Sequence, residues 1–323
     1  MEYRRLGRWG VRVSQLALGT LNFGPEASEG ESWAIMDAAR EAGINFFDTA
    51  DSYGWEAGYG ATEEIIGRWL AQGGGRRESI FLASKVYMRT GDGPNDEGLS
   101  AYHIVRACEG SLRRLRTDYI DLYQMHHVDR RVRWEEVWEA FDTLRRQGKI
   151  VYAGSSNFGG WQLAQAEEEA RARGGMGLVA EQSLYNLCYR EVELEVMPAC
   201  RTYGLGFVAW GVLNRGFLAG TGLGAMRSER GRARLIREYE RFGERLVRYN
   251  ELCREVGYAP AVLATAWVLQ RPGVSAVIVG PRTVGQLEES LGATEVELGG
   301  EVVDRLEALW PGPGGPAPEA YAW

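Results

Sequence analysis

The chain has 323 residues, 45% apolar and 25% charged, with a formal net charge of -7. That size suits one large core such as a closed α/β barrel needs, whereas the acidic balance excludes a nucleic-acid or anionic-membrane partner, either of which requires a basic face. No run approaches about eighteen consecutive apolar residues, and "MEYRRLGRWG" carries no apolar signal core, so the expected location is the cytoplasm.

In chain order, "YRRLGRWGVRVS" offers a turn at Trp9-Gly10 between short extended pieces, which predicts a hairpin closing a barrel floor. Apolar, β-rich runs then recur at 15–20, 44–49, 80–85, 120–126, 150–156, 177–182, 205–210 and 274–280. Near-continuous apolar strands alternating with helices describe a parallel sheet buried on both faces. Between the runs, Ser28 and Glu31 form a capping box and Gly43 is placed as a helix stop. Thr62 is the expected cap before the acids of "TEEIIGRWL". No GxGxxG follows a first strand, which argues against a doubly wound sheet. The expectation is a (β/α)8 TIM barrel over residues 1–310 with long mouth loops. The Gly-rich loops at 88–100 and 213–235 read as mobile lids. The Pro/Gly-rich tail, 311–323, is either a disordered end or a fold-back that brings Tyr321 and Trp323 against the mouth.

The residue usage narrows the chemistry. Cys108, Cys188, Cys200 and Cys253 form no CxxC pair and read as buried thiols. Only Lys85 and Lys149 are lysines in a chain that otherwise uses arginine, and a position that keeps lysine can need a compact ammonium. Lys149 follows a helix end where any cation helps, which leaves Lys85 as the candidate for chemistry.

Barrel sites form at the C-terminal ends of strands. Those ends carry Asp48 and Tyr53, Lys85, His126 and His127, Ser155 to Asn157, Gln182, Trp210 and "GPRTVGQ". A lysine beside a phenol favours the phenolate by roughly 1 to 3 pKa units, which would help Tyr53 to give up a proton while Asp48 aims Lys85. The plainer reading is a buried Asp48–Lys85 pair closing the barrel under a surface Tyr53. His126 and His127 face opposite ways on a strand, so only one looks into the mouth, and its neighbour reads as a satisfied core histidine. No HxH or HExxH spacing supports a metal. After the last strand, backbone amides and Arg282 at a helix start suit a phosphate, and the guanidinium fork suits the 2'-phosphate of NADP; the alternative is a solvated arginine in a turn.

The motifs "FFDTADSYG", "LASK", "DYIDLYQMHHVD", "GKIVYAGSSNF", "EQSLYN" and "VIVGPRTVGQLEES" resemble, in order, the signatures of the aldo-keto reductase superfamily. "ADSYGW", "GRWLAQGGGRRE", "YQMHHVDR" and "PAPEAYAW" are similar to its actinomycete branch that reduces nucleotide-linked keto-deoxysugars. The resemblance implies NADPH-dependent reduction of a ketone or aldehyde by a tetrad of Asp48, Tyr53, Lys85 and His126, with Tyr53 as the acid and His126 orienting the carbonyl. It implies that Ser156, Asn157 and Gln182 hold the nicotinamide carboxamide and that Trp210 underlies the ring. It further implies cofactor contacts from Gly211, Leu213 and Gly216 and from Gly280, Arg282, Gln286, Glu289 and Ser290. Trp210 stands where tyrosine is common, and Gly211 lacks the usual serine hydroxyl.

A small-molecule carbonyl is the expected partner, framed by Trp55, Tyr59, Tyr87 and the two long loops, with Arg215, Arg227 or Arg230 meeting a diphosphate. Other readings are a Schiff-base aldolase using Lys85, a non-catalytic NADPH-binding redox-sensing subunit, and a carbon-carbon double-bond reductase. Asp48 opposes the first by holding Lys85 protonated, intact Tyr53 and His126 oppose the second, and a histidine rather than an acid at 126 opposes the third.

Overall fold

A computed structural model describes residues 1–54, 58–220 and 229–322, without the side chains of 229–231. Trp55, Arg227, Trp323 and the Arg230 side chain lie outside the described residues. β1 (Tyr3–Arg5) and β2 (Arg12–Ser14) form an antiparallel hairpin. A closed parallel barrel follows: β3 (Leu16–Gly19), β4 (Phe46–Asp48), β5 (Phe81–Val86), β6 (Ile120–Met125), β7 (Ile150–Ser156), β8 (Leu178–Leu184), β9 (Gly206–Trp210) and β10 (Val274–Val279), which pairs back onto β3. All eight expected strands are present.

Side-chain alternation sorts each strand between two cores. Phe46, Ala83, Leu122, Ala180, Val208 and Ala276 fill the lumen, and Leu6 and Val13 of the hairpin plug its floor. Gly7 allows the hairpin turn: its φ is +62°, and a Cβ there would sit 2.3 Å from the Gly204 carbonyl oxygen. Outward residues such as Leu16, Phe47 and Tyr123 pack under the helices. These are α1 (Glu29–Glu41), α2 (Ala61–Leu70), α3 (Ala101–Leu115), α4 (Trp134–Arg146), α5 (Gly160–Ala172), α6 (Val196–Tyr203), α7 (Glu229–Val256), α8 (Pro260–Leu269), α9 (Val284–Gly292), α10 (Gly300–Leu309) and α11 (Glu319–Ala322).

The local signals hold with exceptions. Ser28 and Glu31 form the capping box of α1, and Gly43 follows its C-cap at φ +84°. Thr62 is not the cap of α2. Gly60 takes that place, and the Thr62 hydroxyl donates instead to the Phe23 carbonyl from inside the first turn. The segment expected as one long loop from 213 contains a short 3-10 stretch, Asn214–Ala219, and its last part is already α7. The 88–100 loop is tied at its end, where Gly98 N donates to the Tyr87 carbonyl at 2.7 Å and Leu99 N to Asp129. The tail is ordered through α11, with Ala317 N bonded to the Leu194 carbonyl and Tyr321 largely exposed. Cys188 is only half-buried; the other thiols are buried. Among the described residues no helix is long and apolar enough to cross a membrane.

Candidate active site

Two residues above each lumenal apolar layer, the same alternation puts polar side chains at the mouth. Asp48 stands above Phe46, Lys85 above Ala83, Gln124 above Leu122 and Gln182 above Ala180. Lys85 is completely buried and spends its three ammonium hydrogens on Asp48 Oδ2 at 2.6 Å, the Thr49 carbonyl at 2.9 Å and the Tyr53 hydroxyl at 3.2 Å. Asp48 Oδ1 accepts from Gln182 Nε2 at 2.7 Å and Gln124 Nε2 at 3.2 Å. A buried ion pair persists only when its remaining polar valences are filled, and removing one partner costs about 3–5 kcal/mol. Burial lowers the Lys85 pKa, but Asp48 and Tyr53 outweigh it and the net shift is upward. The lysine stays an ammonium.

Tyr53 lies between Lys85 and His126, whose ring meets the phenol edge-on at a centroid distance of 5.9 Å. The expected lowering of the phenol pKa does not occur. Burial raises it, and the Lys85 charge offsets only part of that rise because Asp48 and Asp51 add negative potential. His126 is held neutral: burial, then Lys85 and His127, push its pKa down to about 3. Its Nδ1 is buried without a hydrogen-bond partner among the described residues, so the tautomer with the proton on Nε2 leaves only a lone pair there. His127 is no core histidine. It sits half-buried at the rim against Tyr87, ring centroids 5.5 Å apart.

The opposite side of the mouth is made of loops. Ser156 donates to the Gln182 carbonyl at 2.8 Å. Asn157 follows at φ +61°, its Nδ2 on the His126 carbonyl and Ser156 Oγ and its Oδ1 accepting from Trp210 Nε1 at 3.1 Å. The indole that replaces the more common tyrosine is thereby fixed in plane. Gly211 is left-handed at φ +69° and its carbonyl accepts from Asn186 Nδ2. Leu213 leads into Asn214, Arg215 and Gly216, at φ +45°, +59° and +91°. Such non-glycine conformations cost about 1–3 kcal/mol each and cluster where ligands are held.

Beyond β10, Gly280 accepts from Asn22, Arg282 N donates to Gln286 Oε1 at 2.8 Å, and Thr283 caps α9 through Gln286 N. Arg282 Nη1 lies 3.9 Å from Glu26, Ser290 donates to the Gln286 carbonyl, and Glu289 is exposed. The structure thus brings Asp48, Tyr53, Lys85, His126 and Gln182 together, with Ser156, Asn157 and Trp210 linked to them by hydrogen bonds. Among the described residues Glu289 joins no bonded cluster.

A family model described as aldo/keto reductase family matches residues 15–311. The chain belongs to the aldo/keto reductase family. It is 52% identical, over all of both chains, to the uncharacterized oxidoreductase YrpG of Bacillus subtilis. It is 37% identical over 96% of both to a probable voltage-gated potassium channel subunit beta of Oryza sativa, and 32% identical over 94% of both to a putative aryl-alcohol dehydrogenase of Schizosaccharomyces pombe.

Three supporting residues of this aldo/keto reductase escape the sequence reading. Gln124 pairs in register with Lys85, and its polar side chain inside the apolar run "IDLYQM" is the signal that it faces the mouth. Glu181, beside Gln182 but on the outer face of β8, accepts from Ser155, Ser183 and Phe158 N, and burial pushes its carboxyl up to about 7. Asp51 is the second acid of "DTADSYG". Burial holds its carboxyl well above the usual range, and neither buried oxygen has a hydrogen-bond partner among the described residues, so the two acids differ: one is ion-paired, the other is not.

Proposed function

We propose that the protein is an NADPH-dependent carbonyl reductase in which Tyr53 protonates the carbonyl oxygen. The observation that carries this reading is the Lys85 ammonium, 2.6 Å from Asp48 and 3.2 Å from the Tyr53 hydroxyl, at the mouth beside a neutral His126. The residues present fit a dinucleotide. A half-buried indole edge-bonded to Asn157 offers a flat face, the left-handed run 214–216 follows β9 close behind it, and α9 begins beside Arg282. Trp210 would underlie the nicotinamide, with Ser156, Asn157 and Gln182 on its carboxamide. Since Gln182 Nε2 is already bonded to Asp48, its Oε1 is the atom left to accept from the amide. Gly211, Leu213 and Gly216 would meet the pyrophosphate, and Gly280, Arg282, Gln286, Glu289 and Ser290 the adenosine end, with Arg282 on the 2'-phosphate. When bound, NADPH supplies the hydride.

His126 orients the substrate oxygen by donating from Nε2. Tyr53, protonated at neutral pH, gives its proton to the oxygen as alkoxide charge develops, and that strongly basic oxygen makes a phenol of raised pKa an effective donor. Lys85 steadies the phenolate left behind, and Asp48 with its two glutamine partners keeps the ammonium aimed. A Schiff base at Lys85 would need a free lone pair, which an ammonium with three bonded hydrogens lacks.

The relative named as a channel subunit beta makes a binding-only role the contrasting case. The test is NADPH oxidation against simple aldehydes, aryl aldehydes, quinones, free keto sugars and nucleotide-linked keto sugars. The keto-sugar arm tests the deoxysugar likeness, and the aryl arm tests the class in the yeast relative's name. Turnover with any arm supports the reductase. Tight NADPH binding with no oxidation across the panel leaves the non-catalytic subunit as the answer.

A further inference from the structure

The left-handed run 214–216 has no strand of its own to fix it, and the groups that fix it come from elsewhere. Asn214 is 4% exposed, and its Nδ2 donates to Glu238 Oε2 on α7 at 2.8 Å. The other oxygen of the same carboxylate, Oε1, accepts from the Tyr189 hydroxyl, also at 2.8 Å. Tyr189 belongs to the turn after β8, which Asn186 organises: Asn186 Oδ1 accepts from Cys188 N and Tyr189 N, while its Nδ2 donates to the Gly211 carbonyl. Asn214 N returns to the same Gly211 carbonyl at 2.8 Å. A single carboxylate on α7 therefore joins the turn after β8 to the loop after β9. It does so at the first of three consecutive positive-φ residues, where the backbone most needs an outside tether.

We infer that Glu238 is the positioning residue that holds the 211–216 loop in its closed, left-handed form and thereby sets how long NADPH stays bound. Among the described residues the hydrogen bonds of Glu238 go to Asn214 and Tyr189, and none goes to Asp48, Tyr53, Lys85 or His126. Glu238 acts through Asn214, and losing it frees the loop to leave the left-handed region, which opens the route by which a pyrophosphate lying on that loop escapes. The inference rests on the reading of this loop as the cofactor's seat.

The experiment is stopped-flow release of NADPH, with each protein loaded and then chased by excess NADP+. Glu238→Ala is expected to release NADPH about tenfold faster, and Tyr189→Phe, which deletes one hydroxyl, about threefold faster. Glu238→Gln is expected within about twofold of wild type, because an amide can accept from Asn214 and donate to the tyrosine hydroxyl. At saturating NADPH, the kcat/KM for the carbonyl is expected to stay within about twofold in all of them. Wild-type release rates in Tyr189→Phe and Glu238→Ala would overturn the inference, as would losses of kcat/KM and melting temperature that run in parallel with the release rate, the mark of a merely structural residue. If the wild-type protein fails to bind NADPH at all, the cofactor reading falls and takes this inference with it. Should the alanine variant not fold, the Tyr189→Phe release rate decides alone.

Discussion

Around Lys85 each ammonium hydrogen goes to a partner on β4 or on the loop it leads into, and Asp48 is backed by amides from β6 and β8. Across the mouth, Asn157, Gly211 and Asn214 to Gly216 sit in positive-φ loops, tied from behind by Glu181 and Glu238, neither of which faces the lumen. In the first region Asp48, Lys85, Gln124 and Gln182 are aimed by the pleat of closed strands, which fixes side-chain direction without local strain, and Tyr53, on the turn after β4, is held against them by its bond to Lys85. The second is positioned by side-chain bonds to strained backbone, which a loop can break and remake while the barrel stays intact. The proposed proton transfer lies on the rigid side, and the proposed seat of an exchangeable cofactor lies on the other.

That contrast is broken most directly at Tyr53. Tyr53→Phe is expected to lower NADPH oxidation by about a thousandfold or more while leaving NADPH affinity within about twofold, because the hydroxyl bonds Lys85 and no part of the loops read as the cofactor's seat. Steady-state rates and a fluorescence titration read the two effects. A phenylalanine variant that keeps most of its activity would falsify the choice of acid.

Next in size, Arg282→Ala is expected to weaken NADPH about ten- to a hundredfold and NADH by no more than about threefold, measured as dissociation constants. Equal losses for both dinucleotides would move the 2'-phosphate away from α9.

The pH dependence sharpens the strand-built half. With His126 pushed down to about 3, reduction should show no histidine limb between about pH 5 and 8. With Tyr53 as the proposed acid, alcohol oxidation would need the phenolate of a tyrosine whose pKa is raised, so its kcat/KM should climb by up to about tenfold per pH unit toward pH 9. An inflection near 6.5 in the reduction profile would mean that His126 is charged in the working enzyme.

The smallest effect concerns the tether at β8. Burial raises the Glu181 carboxyl from 4.5 to about 7, so the folded chain keeps a proton that the unfolded chain releases. Its contribution to stability is full below pH 4.5 and is lost as pH rises through about 7. Melting curves of wild type and Glu181→Gln at about pH 5 and 8 should therefore show the wild type's relative advantage shrinking by a few degrees. A difference between the two that does not vary with pH would place the Glu181 titration elsewhere.

Much of the strand-built region is legible in the one-dimensional pattern. A polar residue two positions beyond an inward apolar one, at the end of a buried strand, can only face the mouth, which is how "FFD" and "ASK" announce Asp48 and Lys85. Gln124 obeys the same rule and could have been read from it. Glu238 could not. It lies in an arginine-rich helix whose local sequence resembles any solvated face, and its importance comes from Asn214, 24 positions away in the chain. The error at Thr62 has a similar cause: a residue with cap chemistry lost the cap to Gly60 because Phe23, far along the chain, offered its hydroxyl a buried carbonyl.

The sequence alone determined the barrel, the order of its strands and the residues that crown them, because periodicity and strand-end chemistry are local properties that closure preserves. The tertiary structure decided the sign of the Tyr53 shift, the neutrality of His126, the upward shift of Asp51, and the tethers behind the loops. Those depend on how much water is excluded and which groups meet across the barrel, and burial and long-range pairing are written in no single stretch of chain.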